Sequence, residues 1–140
     1  MANSQAVSGI LKQVGLGAVV DGKTLKAALY LVSATTNGTN AAYTATGEVS
    51  GTGYSAGGVS CTNANTAGLT STTAYWTPSA SLTYTTVTLS TAFDAVMIYS
   101  TTDANRALGV FTFGSQTITA GTLTLTMPTN DATTGLIRLA

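Results

Sequence analysis

Gly53-Tyr54-Ser55-Ala56-Gly57 has the spacing of a G-x-S-x-G nucleophile elbow, the pattern in this chain that most resembles an acyl-transfer site. An elbow works only where a strand turns into a helix and a histidine stands by to take the serine proton. The sequence has no histidine, and nothing helical follows Gly57, so the motif is expected to be a glycine-rich loop. The missing histidine also removes the commonest general base and the commonest transition-metal ligand. One cysteine, Cys61, cannot build the usual zinc site alone. Nor can it close an intramolecular disulfide, and it is expected to behave as a small buried hydrophobe.

The carboxylates are Asp21, Glu48, Asp94, Asp103 and Asp131. Glycoside hydrolysis needs two of them ~5–9 Å apart beside a sugar groove, and spacing along the chain singles out no such pair. Asp103-Ala104-Asn105 has the opening of a calcium loop without its glycine or its downstream bidentate glutamate. It is expected to be a polar hairpin turn in which Asp103 pairs with Arg106. Tyr75 and Trp76 have the chemistry of a sugar-stacking platform, but adjacent strand residues face opposite ways. Trp76 is therefore expected as a core or interface anchor. Asn37-Gly38-Thr39 fits a glycosylation sequon but is expected to serve only as a turn. No catalytic residue, cofactor site or metal site is expected, and the chain is not expected to be an enzyme.

The elements that would position these residues are strands. Residues 1–22 mix Ile10, Leu11, Val14, Leu16, Val19 and Val20 with glycines at 9, 15 and 17. Each glycine inside a helix costs about 1 kcal/mol relative to alanine. The segment is therefore expected to be an extended arm that orders on a neighbour, ahead of a single β-domain at residues 23–140. Residues 25–33 suit a central strand. Asn37-Gly38 is a strong hairpin signal, with residues 43–49 as the returning strand. Short strands are expected at 59–62 and 72–77, with a loop at 63–70 between them. Residues 81–90 alternate until Tyr84 and resume on the other parity at Val87, which is what a β-bulge produces. Strands at 93–99 and 105–113 would pair across the turn at 100–104, followed by alternation over 116–127 and a closing strand at 135–139. About eight short antiparallel strands with turns between them imply an all-β sandwich.

Composition narrows the function. Of 140 residues only 7% are charged, against about 25% in a typical globular chain. Five basic residues cancel five acidic ones. Net charge near zero removes the term that dominates nucleic-acid affinity, so no nucleic-acid partner is expected. Residues 1–20 lack the charged start and continuous apolar core of a secretory signal, and no stretch approaches the ~20 apolar residues of a membrane span. Synthesis in a cytoplasm, with no membrane partner, is the expectation. A sheet protein faced with Thr, Ser and Ala can bury its surface against a partner without the desolvation cost of ions.

Four stretches, KAALYLVSAT, AAYTATGEVSGTGYSAGGV, TTAYWTPSASLTYTTVTLSTAFDAVMIYS and FTFGSQTITAGTLTLTMPTNDATTGLIRLA, resemble a family of small tailed-phage virion proteins. The family named by the resemblance is the capsid cement (decoration) proteins of short-tailed bacteriophages of the Bordetella phage type. The resemblance runs from about Lys26 to Ala140. It implies a jelly-roll β-sandwich that dimerises on the outside of an icosahedral shell and contacts the major capsid protein across subunit boundaries. It carries no catalytic residues. The expectation is thus a virion protein on the capsid exterior, made in the host bacterial cytoplasm. Its candidate interface elements are the N-terminal arm, the loop at 47–58 with Tyr54, and the strand bearing Tyr75 and Trp76. The rival expectation is a phage tail or fibre module that binds a host-surface glycan.

Overall fold

A computed structural model describes residues 6–140 of the chain. One helix, α1 (Gly9–Val20), precedes seven strands: β1 (Leu25–Leu31), β2 (Val59–Cys61), β3 (Gly68–Thr70), β4 (Thr73–Trp76), β5 (Leu82–Ser100), β6 (Arg106–Leu125) and β7 (Ile137–Leu139). They form two antiparallel sheets, a four-stranded one in the order β2-β1-β5-β6 and a three-stranded one in the order β3-β4-β7. The two layers close on one core, in which Leu29, Trp76, Leu82, Leu89, Phe93 and Ile98 are almost wholly buried. This is the antiparallel β-sandwich that the alternating sequence implied.

A second, smaller core lies on the other face of the large sheet. Ala28, Tyr30, Ala95, Met97 and Tyr99 are buried there. Ala34 and Tyr43, from the long segment after β1, cover them. Both faces of β1 and of the second half of β5 are therefore covered, which is why LKAALYL and AVMIYS are apolar without alternation.

The parity change between Tyr84 and Val87 is a bulge. The β5–β6 register shifts there, and Thr86 takes a positive φ of 51°. Further shifts between Val87, Leu89 and Phe93 bend the ribbon without ending it. Two strands expected at 81–90 and 93–99 are consequently one 19-residue strand, and their partner β6 runs 20 residues. Among the strands, the structure departs from the sequence reading in two other places. Residues 43–49 do not return as a strand, and make only the isolated bridges Tyr30–Glu48 and, just before them, Ala42–Arg106. The loop expected at 63–70 ends in β3, a short edge strand.

The expected extended arm is a helix over most of its described length, and its first five residues lie outside the described part of the chain. One of the glycines that argued against a helix, Gly9, has a packing role. A Cβ on Gly9 would stand 2.8 Å from the Ser71 carbonyl oxygen, so glycine lets α1 lie close to the β3–β4 turn. Leu16 and Val20 enter the main core. The Lys12 ammonium donates to the Thr72 carbonyl at 3.1 Å, and the Gln13 amide to the Ala67 carbonyl at 2.9 Å. No helix among the described residues is long and apolar enough to cross a membrane.

Candidate interface surfaces

Trp76, a candidate interface residue, is fully buried. Its indole N–H donates to the Asn63 side-chain oxygen at 3.2 Å. The Asn63 amide in turn donates to the carbonyls of Val20 at 2.6 Å and Lys23 at 3.0 Å. Trp76 therefore anchors the end of α1 to the small sheet, and the interface role fails because strand parity turns its ring inward. Tyr75, next along β4, points the other way and is half-buried, with Gly68 beneath its ring.

Tyr54 is also half-buried, and its hydroxyl is already engaged. It accepts from the Leu29 backbone N–H at 3.0 Å and donates to Glu48 Oε1 at 2.7 Å. Glu48 Oε1 also accepts from the Gly57 N–H at 2.7 Å, and Oε2 from the Tyr43 hydroxyl at 2.6 Å. Glu48 thus gathers three donors and pins the 47–58 loop to the sheet. Tyr99 closes the group, donating to the Gly57 carbonyl at 2.8 Å and stacking on Tyr43 with ring centroids 4.8 Å apart. Burial raises the pKa of these phenols above the ordinary tyrosine value, and for Tyr43 and Tyr54 the bond to the Glu48 carboxylate adds to it. A carboxylate held by neutral phenols that resist ionisation makes a structural clamp and offers neither a free base nor a nucleophile.

The elbow-like motif sits in this loop as turns. Gly53 and Gly57 have φ of 79° and 88°, and no helix follows. Burial pushes the Cys61 thiol up to about 11, which keeps it protonated and unreactive. Asp103 pairs with Lys23 at 3.2 Å, correcting the expected Arg106 partner. The turn places the Arg106 N–H on the Asp103 carbonyl at 3.0 Å, so only the backbones of those two residues meet. Among the described residues no group of three or more His, Cys, Asp or Glu side chains is placed to hold a metal ion.

One interface element from the sequence does present a surface. On α1 and the residue before its cap, Val7, Ile10, Leu11 and Val14 are 55%, 58%, 63% and 62% exposed. Their spacing is i, i+3, i+4, i+7, one continuous stripe on the outward side of the helix. The inward side is apolar too, through Leu16 and Val20, so α1 is apolar nearly all round while only one side is covered. Those residues were visible in the sequence, but their stripe exists only once the segment is helical. No family model, curated protein or solved structure matches the chain.

Proposed function

We propose that this chain is a structural virion protein that binds the outside of a phage capsid and reinforces contacts between major capsid protein subunits. The observation that carries the proposal is the outward stripe Val7, Ile10, Leu11, Val14 on a molecule with almost no charge. A helix apolar on both sides is stable in water only at a cost that a covering partner removes. The resemblance of residues 26–140 to capsid cement proteins supplies the partner, and the jelly-roll connectivity and self-association it implies belong to the same proposal. Binding only the assembled shell stabilises that shell by mass action, so many copies spanning seams oppose their separation.

The glycan-binding rival has less to build on. Carbohydrate platforms use exposed aromatic faces, and every aromatic ring of this chain is buried or half-buried.

Quantifying the chain against the major shell subunit in purified particles tests the proposal. A near-stoichiometric ratio supports cement, whereas a few copies per particle would assign the chain to a tail or fibre. Replacing Leu11 and Val14 together by Lys leaves the fold intact, because both side chains face solvent, and abolishes attachment to shells that lack the protein.

A further inference from the structure

We infer that Asn37 is a site of spontaneous modification, at which the Gly38 backbone nitrogen attacks the Asn37 side-chain carbonyl, expels ammonia and leaves an acidic residue in the turn. The inference stands on the geometry of residues 35–40 and needs no partner.

Asn37, Gly38 and Thr39 are all exposed, in the long segment after β1. The turn they form is closed by the Asn40 N–H, which donates to the Asn37 carbonyl at 3.1 Å. The Asn37 side chain is folded into the same turn. Its Oδ1 accepts from the Thr39 N–H at 2.8 Å and from the Thr39 hydroxyl at 2.8 Å. Its Nδ2 donates to the Thr35 carbonyl at 3.0 Å. The bond from the Thr39 N–H closes a ring of the Asx-turn type, which contains both Asn37 Cγ and the Gly38 nitrogen. A side chain held folded in this way keeps the two reacting atoms on one short loop of covalent structure.

Three features favour the attack. The Gly38 N–H donates to no acceptor among the described residues, so no hydrogen bond opposes loss of its proton. Gly38 has no side chain to shield its nitrogen, and the space around it is open, since a Cβ there would meet nothing within 4 Å. Negative charge develops on Asn37 Oδ1 as the new bond forms, and the two Thr39 donors already point at that oxygen. Donors aimed at a developing oxyanion lower the barrier to acyl transfer.

The steps balance with water as the only co-reactant. The Gly38 nitrogen gives up its proton and bonds to Asn37 Cγ. The Cγ–Nδ2 bond breaks, and Nδ2 leaves as ammonia, taking up a proton equivalent to the one Gly38 lost. Water then opens the cyclic imide. Cleavage between the Gly38 nitrogen and Cγ gives aspartate. Cleavage at the Asn37 backbone carbonyl gives isoaspartate, which routes the main chain through the side chain. Either product adds one negative charge to a chain whose five basic and five acidic residues otherwise cancel.

The other asparagines lack this arrangement. None of them precedes a glycine. Asn63 is tied on both side-chain atoms, to Val20, Lys23 and Trp76, and the Asn65 amide donates to the Thr77 carbonyl.

Isoelectric focusing and peptide mass mapping of the purified full chain, stored in mildly alkaline buffer, test the inference. Wild type is expected to gain one acidic form with time, its mass change on Asn37, at least as fast when folded as in denaturant. Gly38→Ala is expected to slow conversion at least about tenfold by shielding the nitrogen. Its melting temperature should match wild type, because the added methyl meets nothing and Gly38 is not among the glycines with positive φ. Thr39→Val, which removes the hydroxyl donor, is expected to slow conversion several-fold, and Thr39→Ser to keep the wild-type rate. A folded wild type that holds its charge while the denatured chain converts would overturn the inference. So would an acidic form that maps to another asparagine, or a Gly38→Ala or Thr39→Val chain that converts as fast as wild type.

Discussion

Glu48 holds three donors with two oxygens, and that count sets what its replacement does. Glu48→Ala strands the hydroxyls of Tyr43 and Tyr54 and the Gly57 N–H in a half-covered site where water replaces only part of what is lost. A loss of about 2 kcal/mol is expected in chemical denaturation, with Glu48→Gln losing about half as much because its carbonyl still accepts. A loss equal to that of a surface substitution would mean that the loop is held by something else. The phenols around Glu48 also give the protein an alkaline limit. Burial raises Tyr30 from 10.0 to about 12, and Tyr84 and Tyr99 are raised by burial as well. The folded state therefore keeps protons that the unfolded chain releases. This stabilisation is complete below pH 10 and is lost as pH rises through 12. Melting temperatures followed with tyrosinate absorbance should hold steady to about pH 9.5 and then fall, with ionisation and unfolding coinciding. Tyrosines that ionise near pH 10 in a folded protein would contradict the burial described above.

At the scale of elements, α1 separates the two sides of a helix cleanly. Leu16 is 4% exposed within the main core, so Leu16→Ala should cost about 2–4 kcal/mol. Val14→Lys, two residues away on the outward stripe, should move the stability of the isolated chain by less than ~0.5 kcal/mol. Equal costs would show that α1 does not pack as described, and the comparison needs only two denaturation curves. The helix was the element least legible in the sequence. Glycine lowers helix propensity locally, and nothing in the sequence shows that Gly9 faces the Ser71 carbonyl and permits close packing. The same blindness to partners misplaced residues 43–49. Their alternation suited a strand, but Tyr43 covers the small core and Glu48 binds the tyrosines, so the side chains are fixed by tertiary contacts and not by a ladder. What strand chemistry controls was readable: the apolar runs of β1 and late β5, the parity break before Val87, and the turn between β5 and β6. Trp76 shows where reading stopped. Its adjacency to Tyr75 says that one faces in, but only the structure, through Asn63 and the end of α1, says which.

Across the whole molecule, the scarcity of charge predicts how it associates. The surface assigned to a partner is the α1 stripe, and the one ion pair among the described residues, Lys23–Asp103, lies off it. Contacts made by apolar burial and backbone ladders are insensitive to ionic screening, whereas contacts between charged groups weaken as the Debye length shrinks from about 10 Å at 0.1 M salt to about 3 Å at 1 M. Attachment measured on shells lacking the protein should therefore change less than ~3-fold between about 0.05 and 0.5 M sodium chloride, where a protein holding six phosphates would lose at least ~1,000-fold. Sulfate at equal ionic strength should tighten it, because sulfate is excluded from protein surface and favours burial. A steep loss of attachment in sodium chloride would move the docking surface from the α1 stripe to the few ionised residues of this chain.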